Sequence, residues 1–373
     1  MKIKIYGCGS IGNHIAHASR LLGWSVCMVD NDPKALLRTK KNIYPSRYGK
    51  WDPCIGLFTS GSEPCGGFDL IHIGTPPATH LSLALSCLQE KPKGILIEKP
   101  LSEPSLRGLN SLLKNAQKKE VQLYIGYDHV VGQAAQRCAE ILRSGVLGAV
   151  ESLDVEFREF WGGIFEAHPW LRGPQDSYLG FWKLGGGAGG EHSHALNLWQ
   201  FFARCCGAGE ISEVSCFAKF KKNAGTDYDS IFSLNLKTTK SLIGRVIQDV
   251  VTHPPKKWAR IQGTRGYLEW HCGGGRNGAD RIILGRINIP TEKIDFPKTR
   301  PQDFVMELKH LRKKLKNRCK KTSPLAAEFG IKTMRVIQAA YRSAQTGKTF
   351  RLRTPKKKSK NANKKKQKPC NCS

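Results

Sequence analysis

The sequence predicts an α/β domain with a doubly wound parallel sheet, followed by an α+β domain built on one large open, mostly antiparallel β-sheet. Three observations carry that prediction. At 373 residues the chain exceeds one ordinary hydrophobic core. Over its first third, short apolar strands alternate with amphipathic helices, which implies a parallel sheet covered on both faces. Beyond Val150, strands that alternate apolar with polar residues follow one another, the mark of a sheet with one face buried and one open.

Taken in order, residues 2–6 read as a strand, 7–12 as a turn and 13–22 as a helix with apolar residues at helical spacing. A strand at 25–29 and a helix at 33–41 follow, then an irregular stretch rich in Gly, Pro and Ser over 44–67. Strands at 70–73, 94–97 and 121–125 alternate with helices at 77–90 and 102–118. After a helix at 133–143 come strands at 150–157, 211–221, 230–236, 242–251, 258–262, 267–271 and 281–287, then helices at 301–316 and 324–346. The domains expected are 1–125, 126–350 with its late helices packed back toward the first, and a basic disordered tail over 351–373.

Formal net charge is +30, from 60 Lys and Arg against 30 Asp and Glu. The tail RLRTPKKKSKNANKKKQKPCNCS carries no acid, and KHLRKKLKNRCKK at 309–321 forms a second basic run on a predicted helix. Neither comes with a motif that reads DNA or RNA, so any polyanion contact of the tail is expected to be nonspecific and salt-sensitive. No apolar run reaches the roughly 18 residues of a membrane span, and the start shows no leader pattern, so a cytoplasmic protein without membrane attachment is expected. The 13 cysteines are scattered without zinc-finger spacing and read as reduced, mostly buried small hydrophobes.

GCGSIG, Gly7 to Gly12, follows a strand and opens a helix, and Asp30 ends the next strand about 20 residues on. Gly7 permits the tight turn, Gly9 the approach of a pyrophosphate and Gly12 close packing of helix on strand. The N–H groups of the helix start, at Ser10 and Ile11, hold the phosphate charge. Asp30 accepts hydrogen bonds from the adenine ribose and repels a 2′-phosphate, so NAD is expected ahead of NADP, although Arg38, Lys40 and Lys41 weaken that preference. The first domain is therefore read as a Rossmann NAD(P)-binding domain.

Two further segments, GTPPATH at 74–80 and IEKPL at 97–101, stand at carboxyl ends of strands, where doubly wound sheets bind ligands. GGGAGGEHSHALNLWQ, 185–200, concentrates glycine with Glu191, His192 and His194. Two histidines two residues apart point in different directions on a helix, and hydride transfer needs no ion, so no metal is expected. The aromatic excursion over 159–187 is long for a loop. Its Trp161, Trp170, Tyr178 and Trp182 shape a sugar pocket or cover the sheet or a partner, with His168, Arg172 and Lys183 as candidate substrate contacts.

This order of motifs resembles the Gfo/Idh/MocA family of NAD(P)-dependent oxidoreductases over about residues 1–350. The resemblance implies hydride transfer between nicotinamide and a hydroxyl carbon of a sugar, cyclitol or nucleotide sugar, and a homo-oligomer formed through the open sheet. It implies that Lys99 meets the substrate hydroxyl after a cis bond to Pro100, that Glu98 lies near the nicotinamide ribose, and that Thr75, Pro76 and His80 border the cofactor. His194 is then the residue that binds or deprotonates substrate, sharing proton transfer with Lys99. The sequence departs from the family at Gly190, where Asp is usual, and at Val130, where Arg is common. Glu191 is the candidate replacement, with Asp128 and His129 as further substrate contacts. Those departures motivate an alternative, a dinucleotide-binding regulatory protein without turnover; a polyanion-associated protein is the reading that charge alone supports.

Overall fold

The computed structural model describes residues 1–166, 168–223, 225–299, 301–317 and 322–352; the tail beyond 352 and the end of the second basic run lie outside them. The first sheet grows from β1 (Lys2–Tyr6), α1 (Ser10–Leu21), β2 (Ser25–Asp30), α2 (Pro33–Arg38), α3 (Tyr44–Tyr48), β3 (Ile55–Thr59), β4 (Leu70–Ile73), α4 (Pro77–Cys87), β5 (Gly94–Ile97), α5 (Leu109–Lys118) and β6 (Gln122–Ile125). Its six parallel strands run β3-β2-β1-β4-β5-β6. Every residue of β4 and β5 is buried, as central strands between two helical layers must be.

Two expectations need correction here. The stretch read as irregular over 44–67 holds α3 and the edge strand β3, of which only Ile55 is buried, so its apolar pattern is faint. The helix expected from residue 102 starts only at Leu109, because Pro104 biases its predecessor away from helix and Leu106 and Gly108 take φ of 56° and 91°. A lysine is sealed inside this domain. Lys4 is 1% exposed, with Nζ 2.8 Å from both carboxylate oxygens of Glu90 and 4.7 Å from the Phe68 ring centroid.

The second half contributes α6 (Gln133–Arg143), β7 (Val150–Arg158), α7 (Trp161–Glu166), α8 (Gly187–Glu191), α9 (His194–Cys205), β8 (Ile211–Asn223), β9 (Thr226–Thr238), β10 (Ile243–Asp249), β11 (Lys256–Gly263), β12 (Gly266–His271), β13 (Asp280–Arg286), β14 (Ile289–Phe296), α10 (Gln302–Asn317), α11 (Ala327–Thr346) and β15 (Phe350–Arg351). The nine strands are ordered β14-β13-β12-β11-β7-β10-β9-β8-β15, and only the β7 to β10 pair is parallel. Strands β14 and β15 and helix α9 were not anticipated from the sequence. Val155, Phe157, Ala259, Ile261, Leu268 and Trp270 are buried while their neighbours along each strand are not, so one face takes the core. Helices α6, α9 and α11 pack on β12, β7 and β8, and the Trp199 indole of α9 donates to the Leu153 carbonyl at 2.7 Å.

The late helices return to the first sheet. α10 packs on α1, and the Ile125 N–H at the end of β6 donates to the Leu325 carbonyl just before α11 at 2.8 Å. Among the described residues, no helix is long and apolar enough to cross a membrane, and the ten cysteines are all free.

Candidate active site

The glycine turn after β1 has the shape a dinucleotide needs. A Cβ on Gly7, whose φ is 100°, would stand 2.6 Å from the Gly74 carbonyl oxygen, and one on Gly12 would stand 1.9 Å from that of Gly7, whereas the space beside Gly9 is open. Helix α1 begins at Ser10 and Ile11 with no side-chain cap and no acid in its first turn, so an anion suits its N-terminus. Asp30 is held against this turn: one carboxylate oxygen accepts from the Cys8 N–H at 2.7 Å and the other from the Asp32 N–H at 3.0 Å. Open space at Gly9, an uncapped helix start and a fixed carboxylate together fit NAD.

The next two loops form the floor. Thr75 and Pro76 lead from β4 into α4, with the Thr75 and Thr79 hydroxyls 2.7 Å apart. His80, expected to border the cofactor, is 1% exposed; its Nε2 lies 2.6 Å from the Thr75 carbonyl oxygen and its Nδ1 3.1 Å from that of Pro100. It braces the two loops from behind. Glu98 directly follows β5, with Oε1 3.0 Å from the buried His72 Nε2.

Lys99 follows, and its bond to Pro100 is cis. Its ammonium donates to the Glu191 carbonyl at 3.0 Å and stands 3.1 Å from the Glu191 carboxylate. Burial would raise the Glu191 carboxyl, but the charges of Lys99 and His192 outweigh it and hold the group below its usual range. Gly190 bears no side chain for a steric reason: a Cβ there would meet the Gly185 carbonyl oxygen at 1.9 Å.

The glycine-rich helix α8 sits on polar groups from distant strands. Asp229 of β9 accepts from the Gly189 N–H at 2.7 Å and from the Tyr341 hydroxyl at 2.9 Å. Gln248 of β10 donates to the Ala188 carbonyl at 2.8 Å. A Cβ on Gly187 would reach within 2.0 Å of the Asp229 carboxylate, so only glycine lets the backbone rest there. Burial pushes Asp229 up to about 7 in spite of those donors.

His194 opens α9 beside this platform. Burial lowers its pKa well below the ordinary imidazole value, and the nearby His129, Lys99 and Lys257 act in the same direction, so it is neutral near pH 7. Its Nδ1 lies 3.7 Å from an Asp128 carboxylate oxygen, and the His129 and Tyr127 rings meet it edge-on at 4.8 and 5.5 Å. Asp128, His129 and His194 offer atoms within 4.8 Å of one another, close enough to ligate one ion. This trio is not the His192 and His194 pair of the H-x-H motif, and the Lys99 and Lys257 charges beside it oppose a further cation.

Lys183 does not join this cluster; it lies exposed with Nζ 5.6 Å from the Trp182 ring centroid. Val130 is buried and brings no charge. Three groups escaped the sequence reading. Lys257 of β11 pairs with Glu159 at 2.9 Å and bears on Glu191 and His194. Glu307 of α10 is 1% exposed, and burial with the nearby Glu98 and Asp128 charges raises its carboxyl well above the usual range. Asp229 is the third.

Comparison with known proteins identifies both halves of the chain. The family model described as "Oxidoreductase family, NAD-binding Rossmann fold" matches residues 1–127, and that of the GFO/IDH/MocA C-terminal domain matches 135–269. Solved structures share the fold at low identity. An oxidoreductase from Agrobacterium radiobacter in complex with NAD+, L-tartaric acid and magnesium is 19% identical, with TM-score 0.74 over 94% of this chain and 98% of that one. The WlbA dehydrogenase from Bordetella pertussis, in complex with NADH and UDP-GlcNAcA, is 18% identical, with TM-score 0.70 over 95% and 99%. The aldose-aldose oxidoreductase from Caulobacter crescentus, complexed with glycerol, is 17% identical, with TM-score 0.73 over 94% and 99%. A search of curated protein sequences finds no match.

Proposed function

This chain belongs to the Gfo/Idh/MocA family of NAD-binding oxidoreductases, and from that premise we propose that it transfers hydride between NAD and a hydroxyl carbon of a sugar, cyclitol or nucleotide sugar. The observation that carries the proposal is that Lys99, fixed by both the carbonyl and the carboxylate of Glu191, stands close enough for its charge to act on a neutral His194. NAD supplies the hydride acceptor or donor. Everything else falls to side chains of this chain.

Oxidation of a carbinol requires that its hydroxyl proton leave as the hydride does. His194, neutral and beside Asp128, accepts that proton, and the Lys99 ammonium donates a hydrogen bond to the oxygen as negative charge develops on it. Glu191 keeps the ammonium aimed, and Asp128 and His129 contact the neighbouring hydroxyls. In reduction the same groups run in reverse, with imidazolium as proton donor. A nucleotide sugar suits the basic character of the chain, and the WlbA structure holds such a molecule.

The test is a purified-protein assay of nicotinamide absorbance over a panel of sugars, cyclitols and nucleotide sugars, with Lys99→Ala and His194→Ala beside the wild type. Turnover that both substitutions abolish while NADH affinity persists is expected. Tight NADH binding with no turnover across the panel would replace the proposal with a regulatory dinucleotide-binding role.

A further inference from the structure

A cavity of about 430 Å³ lies between helix α11, the start of β8 and the edge strand β15. None of its lining residues belongs to the first domain or to the site around Lys99 and His194. We propose that this cavity binds a phosphate ester carried on an apolar body, with Arg335 and Arg342 on the phosphate and Val336, Ala339 and Phe350 against the rest. Such a site is additional to the hydride transfer argued above and shares no side chain with it.

Sequence spacing brings the cations together. Lys332, Arg335 and Arg342 follow one another at helical spacing along one face of α11, and Arg351 of β15 joins them in the lining. Against these cations stands one lining acid, Glu210. Lys332 pairs with it, Nζ 2.9 Å from the carboxylate, and Arg351 stands 3.7 Å from Glu213. Arg335 and Arg342 are different: among the described residues neither guanidinium has a hydrogen-bond or ion-pair partner. Arg342 rests on an aromatic ring, its guanidinium carbon 4.7 Å from the Phe350 centroid, a contact that uses the face of the group and leaves its N–H edge for a ligand.

Two lining amides are committed elsewhere. Gln338 donates to the Pro104 carbonyl at 2.9 Å, and the Gln200 amide oxygen accepts from the Thr333 hydroxyl at 2.7 Å. They hold the walls in place before any ligand enters, which lowers the cost of binding. The donors left over are two forked groups that stay charged at any ordinary pH, and phosphate matches both their geometry and the positive lining. Val336 and Ala339 are buried beside them, and with Phe350 they offer an apolar wall that inorganic phosphate has no use for. The volume falls within the range of small-molecule sites. The chain's own tail is no rival occupant, since the sequence after Leu352 carries Lys and Arg and no acid.

Calorimetric titration of the full-length protein is the test, with saturating NADH present so that the dinucleotide cleft is filled. The probes are 1-naphthyl phosphate, inorganic phosphate and 1-naphthol. Naphthyl phosphate is expected to bind saturably and roughly tenfold or more tightly than either of the other two, because it alone engages both the cations and the apolar wall. The Arg335→Ala, Arg342→Ala double variant is expected to bind it roughly tenfold or more weakly. NADH affinity should be the same in that variant, since both side chains are exposed and stand outside the cleft. Naphthyl phosphate bound no more tightly than inorganic phosphate or 1-naphthol, or bound equally by wild type and double variant, overturns the proposal. Its failure is separable from failure of the proposed function, because turnover in the sugar panel is read independently of these affinities.

Discussion

Lys99 and Glu191 answer a question that the sequence raises and leaves open, namely how this chain manages without the usual aspartate at residue 190. The Gly185 carbonyl occupies the place of any side chain there, and Glu191 reaches the ammonium from the next residue. Gly190→Ala is therefore expected to lower stability by about 1–3 kcal/mol, read as a fall in the urea midpoint; an unchanged midpoint would mean that the Gly185 loop yields. Lys99→Ala should cut kcat/KM by roughly 10²–10⁴-fold, the scale of a lost proton-transfer or oxyanion contact, with NADH affinity measured by fluorescence titration kept. Away from the site, removing one partner of the sealed Lys4 and Glu90 pair strands a buried charge. Glu90→Ala is expected to destabilise by about 3–5 kcal/mol, whereas a surface pair such as Arg137 and Glu140 should give under about 1 kcal/mol. The residues legible in the sequence, GCGSIG, Lys99 and His194, belong to compact local motifs. Asp229, Lys257 and Glu307 reach the site from β9, β11 and α10, and no local pattern announces a side chain whose role depends on which element lies beside it.

Among the elements, α8 is the one that could not stand alone, since four of its five residues are glycine or alanine and it is too short to be a stable helix by itself. Asp229 substitutes for what propensity lacks, and burial sets its pKa near 7 against an ordinary value of 3.8. The folded state thus holds a proton that the unfolded chain releases. Its contribution to stability is complete below about pH 4 and is lost as pH rises through about 7. His192 works in the opposite sense: burial depresses it to about 4, so its contribution is full above 6.5 and lost as pH falls through about 4. The two overlap, and only a difference curve separates them. Wild type minus Asp229→Asn, measured as urea midpoints from about pH 4 to about pH 8, should fall with rising pH and level off above about 7; a flat difference would show that Asp229 does not titrate in the folded protein. Central strands of the first sheet were plain from sequence because burial on both faces demands continuous apolar residues. The edge strands β3, β14 and β15 were not, because β14 is mostly exposed and β15 spans two residues, so neither carries the alternation that marks a half-buried strand.

For the molecule as a whole, the outer face of the nine-stranded sheet and the net charge of +30 pull in opposite directions. Strand register places Phe217, Ser233, Ile247, Glu156, Trp258 and His271 in one row across that face. Ion pairs stud it, Arg245 with Asp154 at 2.7 Å and Arg260 with Glu269 at 2.7 Å, while Phe217 and Ile243 are 77% and 58% exposed. We propose that copies of the chain associate through this face, as the family resemblance implies. Each copy repels the next over a Debye length of about 8 Å at physiological salt, so apolar contact has to outweigh that repulsion. Added salt should then strengthen self-association, in contrast to any polyanion contact, which it should weaken. Light scattering across a salt series is the measurement. A mass that rises with salt in the wild type and stays at one chain in the Phe217→Glu, Ile243→Glu double variant is expected. A wild-type mass of 41.5 kDa at every salt concentration would remove the interface from consideration.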